Sequence, residues 1–547
     1  MHATESRTKR GLNRLFQDKS TYAIALLLAA FLVIFVLWPT IALLFEPDAS
    51  HWLAYLTSER LRAVSLNTAI MVVLSTTTAT VIGFVFAYAL TRDDIPGKRF
   101  FRVISLLPLI SPPFSLGLAI LLLFGRRGLI TYDFLGLNVD AYGLVGLWVA
   151  QTFSLYPVAV LSLAGVLRKQ SPALEWAARD LGRGWFSIMR TVTLPLAVPG
   201  LLGAALLVAM FVLSDFGNPL LIGGDYRVLA VEAFLQVTGR FNLGLAAVVS
   251  AALLLPAFLF FFAQRRLLAR NSYVTVTGKE STLSPIPTPK SVRYVLVGIM
   301  SLVSVFLIVT YASIFAGAVV QTWGINWSLT FDHLEYVIFR TGDLRNSAVY
   351  ALIAALICSV IAVTAGYILH RRPVPGRGIL DALSTLPAAL PGTMLGIAFV
   401  VTFNTPPIAI TGTAAIIIIV MVVRNLPVGY RSGVSALHQI GPSIDESAAD
   451  LGAGTLRIFR TIIFPLIRGA FTAAFVYAFV KSINTLSAVI FLVSPSNQLA
   501  PVSIMGLAEH GYWGEATAMA SALMLVTFAA LALFRIVTRG RIRLFEL

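Results

Sequence analysis

Twelve stretches of mostly apolar residues recur along the chain, near 21–45, 67–90, 104–124, 142–164, 195–217, 243–264, 294–320, 346–369, 382–403, 410–430, 465–493 and 516–536. Each is close to the roughly 20 residues that a helix needs to cross the hydrocarbon core of a bilayer. A chain built this way folds in lipid, where every backbone polar group must be satisfied inside the protein, and helices are the natural solution. Composition agrees, with 58% of the 547 residues hydrophobic and 12% charged and a mean hydropathy of +0.85. Such values exclude a soluble enzyme, a disordered chain and a fibrous repeat. The stretches 104–124 and 382–403 hold several Pro and Gly residues and are expected to be kinked or broken. The first run is too long for a signal-peptide core and reads as a retained span. Cys358 is the only cysteine, so no intrachain disulfide or cysteine-based metal site is available.

Lys plus Arg is 41 against 25 Asp plus Glu, a formal charge of +16. In a soluble chain that excess suggests nucleic acid; in a membrane chain its distribution reports orientation. With the N-terminus inside, inner segments hold 31 of the 41 basic residues and outer segments eight. The inner set includes Arg7, Lys9, Arg10, Arg14 and Lys19 at one end and Arg535, Arg539, Arg541 and Arg543 at the other. Both termini are thus expected in the cytoplasm, and no nucleic-acid partner is needed.

The chain also repeats itself. EWAARDLGRGWFSIMRTVTLPL (175–196) aligns without gaps on DESAADLGAGTLRIFRTIIFPL (445–466) at an offset of 270, with ten of 22 positions identical. Upstream the offset is 279: Asn67 matches Asn346, Tyr88 matches Tyr367, Leu107-Pro108 matches Leu386-Pro387, and Gly117 matches Gly396. The change of offset places a nine-residue length difference in the loop after the third or ninth span. Six spans per half is an even number, so the halves are parallel repeats with a shared pathway expected between them. The linker near 265–293 is rich in Ser, Thr, Pro and basic residues, as suits an exposed connector.

Each repeated segment lies between two spans on the inner side. It carries a short helical stretch with small residues, then Leu-Gly-x-Gly, then Ile-x-Arg-Thr, then a Pro at the head of the next span. Small side chains let a partner approach the backbone, and Gly permits a turn that a side chain obstructs. An amphipathic interfacial helix without a partner would need neither the Gly spacing nor the duplication.

This pattern resembles the EAA loop of type I ATP-binding-cassette (ABC) importer permeases, in which the segment forms the coupling helix seated in a cleft of the ATPase subunit. The matching positions are Glu175, Ala177, Ala178, Asp180, Gly182 and Gly184 in the first copy. Those in the second are Asp445, Glu446, Ala448, Asp450, Gly452 and Gly454. Trp176 stands where the family usually has Glu, and Ser447 where it usually has Ala. The resemblance implies an all-α membrane protein of about 12 transmembrane helices in two parallel six-helix repeats. It divides the chain into an N-terminal segment with the first helix (1–62), a first permease copy (63–264), a stretch with linker, seventh helix and outer loop (265–341), a second copy (342–537) and a basic tail (538–547). It implies a location in a bacterial inner membrane. Two copies of a cytoplasmic ABC ATPase, a periplasmic substrate-binding protein and membrane lipid are the implied partners. No G-x-x-x-x-G-K-[ST] loop occurs, so the chain is expected not to be an enzyme and to hold no cofactor; ATP and Mg²⁺ would bind the ATPase subunits.

The stretch 214–247 resembles the corresponding region of ferric-iron importer permeases, which implies ferric iron as cargo. Relatives that carry thiamine, aminoethylphosphonate or another small solute, and a twelve-span secondary transporter, are the alternatives. A secondary transporter would need its own ion-coupling carboxylates near the midplane, and few are present. Asp215 and Lys481 are the intramembrane charges expected at the pathway or its gate, either paired with each other or held elsewhere. His51, His333 and His510 share no ligand spacing, and no metal site is assigned.

Overall fold

The computed structural model describes residues 19–270 and 283–538. The basic residues counted before Lys19 and after Thr538 lie outside the described residues, as does the centre of the linker. Eleven helices are long and apolar enough to cross a membrane, and a sharply bent pair makes up to twelve.

In the first half these elements are α1 (Ser20–Phe45), a short α2 (Ala49–Thr57), α3 (Glu59–Thr91), α4 (Lys98–Ile110), α5 (Ser115–Phe124) and α6 (Leu144–Lys169). Then come α7 (Pro172–Asp180), α8 (Trp185–Ser214), α9 (Gly217–Ile222), α10 (Leu229–Thr238) and α11 (Leu243–Arg270). The second half has α12 (Lys290–Gly317), α13 (Asp343–Arg371), α14 (Arg377–Thr385), α15 (Gly392–Phe403) and α16 (Ala414–His438). It ends with α17 (Ser443–Asp450), α18 (Thr455–Ile483), α19 (Ala500–Glu509) and α20 (Trp513–Val537). A two-stranded antiparallel hairpin, β1 (Val320–Thr322) and β2 (Asn326–Leu329), follows α12 and is a small addition to the expected all-helical fold.

Both proline-rich spans are broken as expected. Ser111, Pro112, Pro113 and Phe114 separate α4 from α5. In the second half the helical stretches 377–388 and 392–403 are bent by 115° from one to the next, at a break that holds Pro391. Proline supplies no N–H and clashes with the preceding turn, so a helix that meets it ends or bends. Nineteen residues join α5 to α6 and ten join α15 to α16, which accounts for the nine-residue length difference. The eleventh apolar run differs from expectation. It is helical only to Ile483, where the Asn484 side chain donates to Val480 O (3.0 Å) and the chain continues in turns.

Close packing inside each half depends on a reciprocal small-residue pair. Gly83 of α3 lies against Ala159 of α6, and a Cβ at Gly83 would overlap the Ala159 methyl. At the matching positions of the second half, Ala362 of α13 faces Gly429 of α16, where an added Cβ would come within 2.9 Å of the Ala362 methyl. The glycine has changed helices while the summed bulk at the crossing is unchanged. Close-packed interiors tolerate volume-conserving exchanges best.

The halves are joined by their first helices. Phe35 and Trp38 of α1 pack on Phe403 of α15, each at a ring separation of 5.7 Å. Phe306 of α12 packs on Phe153 of α6 at 4.4 Å, and Tyr311 shares a 2.6 Å hydrogen bond with Ser111. Trp323 donates to Leu122 O at 2.8 Å. Trp38 and Trp323 thus bind one half to the other.

Candidate functional site

The two repeated loops adopt nearly the same backbone. In the first, the amide of Gly182 donates to Arg179 O (2.9 Å) and that of Arg183 to Ala178 O (3.1 Å). In the second, Gly452 donates to Ala449 O (2.9 Å) and Ala453 to Ala448 O (3.1 Å). Gly182 and Gly452 sit in the left-handed region, at φ 78° and 82°. This is a Schellman closure, and glycine is the residue that adopts it without a Cβ penalty. A Cβ at either glycine would meet nothing within 4 Å, so the requirement within this chain is conformational.

Each loop helix shows one face outward. Leu181 is 83% exposed and Leu451 89% exposed, and around them Leu174 and Phe186 match the exposed Ile444 and Leu456 at the same offset. Ala177, Asp180, Gly182 and Gly184 are exposed and Ala178 is half-buried. In the second copy Glu446, Asp450, Gly452 and Gly454 are exposed, while Ala448 is buried. Exposed leucines singly need no explanation, but the same apolar trio on two copies of one turn is a patch of the kind that marks a protein interface.

The first acidic residue of each loop turns inward instead. Glu175 accepts two parallel hydrogen bonds from Arg92, at the end of α3, both 2.7 Å long. Thr193 Oγ1 adds a third (2.8 Å) and the amide of Ile286 a fourth (3.4 Å). Burial works against the Glu175 charge, yet the Arg92 guanidinium and the Thr193 hydroxyl hold its carboxyl below the ordinary carboxylate range. The second loop repeats the arrangement more loosely. Arg371, at the end of α13, approaches Asp445 at 3.6 Å, and Tyr367 donates to it at 3.4 Å. Ile463 replaces Thr193 and has no hydroxyl to give. Arg92 and Arg371 share the 279-residue offset of the upstream spans, a signal present in the sequence and missed because neither lies within the repeated loop.

Trp176, a departure from the family pattern, has a local role. Its Nε1 donates to Ser284 O at 2.9 Å, and Arg179 lies over its ring at 5.3 Å. Together with the Ile286 contact, this fastens the end of the linker across the back of the first loop.

At the far end of α8, Asp215 is held inside its own half. It accepts from Gln151 Nε2 (3.1 Å), Asn218 Nδ2 (3.0 Å) and the Asn218 amide (3.4 Å). Lys481 has Arg424, not Asp215, as its electrostatic neighbour. Among the described residues no ion pair joins Asp215 to Lys481. The three outer-loop histidines have separate local partners: Asp48 for His51, Glu515 for His333 and Gly506 O for His510. No group of three metal-ligating side chains occurs among the described residues.

Two matched loops on a twelve-helix, two-half frame define a membrane component of an ABC importer, a non-catalytic part of the machine. The chain belongs to the family of binding-protein-dependent transport system inner membrane components, whose model matches residues 362–544. It is a multi-pass membrane permease, and the family implies a separate ATPase and a periplasmic binding protein as partners. Among individual proteins it is similar to the ferric transport system permease FbpB of Actinobacillus pleuropneumoniae, 32% identical over 470 residues, or 83% of this chain and 68% of that one. A second FbpB, FbpB 1 of Haemophilus influenzae, is 30% identical over 503 residues, or 88% of this chain and 79% of that one. A permease assigned to molybdenum transport in Haloferax volcanii is 30% identical over 254 residues, 46% of this chain and 92% of its own length.

Proposed function

We propose that this chain forms the translocation pathway of an ATP-driven ferric-iron importer. Two copies of a cytoplasmic ATPase seat on α7 and α17, and a periplasmic binding protein delivers the cargo to the opposite face. Both termini then lie in the cytoplasm, ATP and Mg²⁺ are bound by the ATPase subunits, and this chain carries no cofactor. The carrying observation is the duplicated loop: an inward-tied acid, a glycine-closed turn and the same exposed apolar trio on both copies. Arg92 and Arg371 link each loop to the end of a spanning helix, so movement of a seated ATPase passes directly to α3 and α13. Similarity to two ferric permeases along more than four-fifths of the chain supports iron over thiamine or aminoethylphosphonate.

The test is reconstitution of the permease with its ATPase and binding protein. Ferric-loaded binding protein is expected to stimulate ATP hydrolysis several-fold over the unloaded form, and thiamine or aminoethylphosphonate to leave it unchanged. Stimulation by another solute but not by iron would replace the cargo and leave the permease assignment standing.

A further inference from the structure

The two halves finish their broken spans differently. In the first half Asn218 closes the break: its Oδ1 accepts from the Gly117 amide (3.3 Å) and its Nδ2 donates to Pro113 O (3.1 Å). Ser154 Oγ donates to the same carbonyl at 3.2 Å. At the matching positions of the second half stand Ala488 and Arg424, with Pro157 and Pro427 keeping α6 and α16 in register. The side-chain plug is gone, and a cation has been added.

What remains there is a set of donors with nothing to donate to. α15 is a 12-residue helix that starts at Gly392 after Pro391, and no side chain caps it. Thr393 in its first turn is 0% exposed, and its Oγ1 has no hydrogen-bond partner. Arg424 Nη1 is sealed from solvent and equally unpartnered. Arg424 and Ser487 Oγ are the groups that a Cβ on Gly392 would meet first, so guanidinium and hydroxyl converge on the start of this helix. Lys481 lies within electrostatic reach of Arg424, and neither forms an ion pair among the described residues.

Arg424 and Lys481 are half-buried, and a cation within a membrane that lacks a counter-charge is unfavourable, most of all at a nitrogen sealed from solvent such as Arg424 Nη1. A helix N-terminus adds unsatisfied N–H groups and partial positive charge, which favour an anion. Among the described residues no carboxylate pairs with Arg424 or Lys481. We infer that the second half binds a small inorganic anion, a halide or a tetrahedral oxyanion, at the start of α15. Arg424 and Thr393 supply hydrogen bonds, and Lys481 supplies further charge.

The probes are [³⁶Cl]chloride and [³²P]phosphate, bound to the full chain in phosphatidylcholine nanodiscs. Thermal unfolding is followed in parallel as each replaces gluconate at constant ionic strength. One of the two is expected to bind saturably and to raise the unfolding midpoint. The double variant Arg424→Ser, Ala488→Asn copies the plug of the first half and should fold, bind at least tenfold more weakly and lose the anion-dependent shift. Thr393→Val removes one hydroxyl with little change of shape, and loss of a hydrogen bond to a charged group should weaken binding by about tenfold or more. Absence of saturable binding of both probes to the unmodified chain overturns the site. So does full-affinity binding in either variant.

Discussion

At the scale of single residues, the buried pair between Arg92 and Glu175 is the contact with most consequence. Removing one partner from a buried ion pair leaves an uncompensated charge and costs about 3–5 kcal/mol. Arg92→Ala is therefore expected to lower the unfolding midpoint of the permease markedly. Replacing both partners, as Arg92→Met with Glu175→Leu, should recover most of that loss; a double-mutant cycle on thermal midpoints checks it. The pH dependence has a definite sign. The Glu175 carboxyl is held below its ordinary value, so its contribution is complete above the unfolded-state value near 4.5. It is lost only as pH falls through the lower, folded-state value. Stability traceable to this pair should be flat from pH 7 to about 5 and decline in more acid buffer, with the decline absent from the double replacement. The glycines behave differently. Gly182→Val with Gly452→Val forces a β-branched residue into the left-handed region, at about 1–2 kcal/mol for each position. The expected result is expression in the membrane with loss of ATPase co-purification and of ATP-driven uptake. Uptake at the unmodified rate would remove the loops from coupling.

Elements were legible in the sequence to the extent that they depend on local signals. Apolar runs of spanning length located the helices, and Pro391 and the Pro112-Pro113 pair located the two breaks. The repeated 22 residues located both loops, because their turns require glycine at fixed positions. Contacts between distant positions were another matter. The inward turn of Glu175 and Asp445 depends on Arg92 and Arg371, which lie outside the repeat that draws attention to the loops. The side-chain amides around Asp215 satisfy it inside one half, and no pattern of charges alone could have separated that from a pair with Lys481. The crossing of α3 with α6 gives a prediction at this scale. Gly83→Ala should destabilise the first half by about 1–3 kcal/mol through overpacking. Adding Ala159→Gly should restore it, since that combination is the one the second half already uses at Ala362 and Gly429.

For the whole molecule, the first helices tie one half to the other. α1 lies on α15 and α12 lies on α5 and α6, so each half holds an element of the other. Cutting the chain within 271–282 and producing the two pieces together should still yield a complex that co-purifies through a tag on either piece. Removing α1 from the first piece should weaken that association, measured by the fraction of the second piece retained on the resin. Failure of the severed pieces to co-purify with all helices present would show the linker to be the essential tie.

The same exchange of helices sets a timetable for biogenesis. Trp38 is translated more than 360 residues before Phe403, the ring it packs against. At ribosomal rates of roughly 5–20 residues per second, α1 waits on the order of tens of seconds in the bilayer before its seat exists. During that interval its partner-seeking face is open to lipid and to other membrane proteins. A nascent permease of this design is thus a client for whatever shelters unpaired helices beside the insertion site, and the first helix is the part that needs the shelter longest.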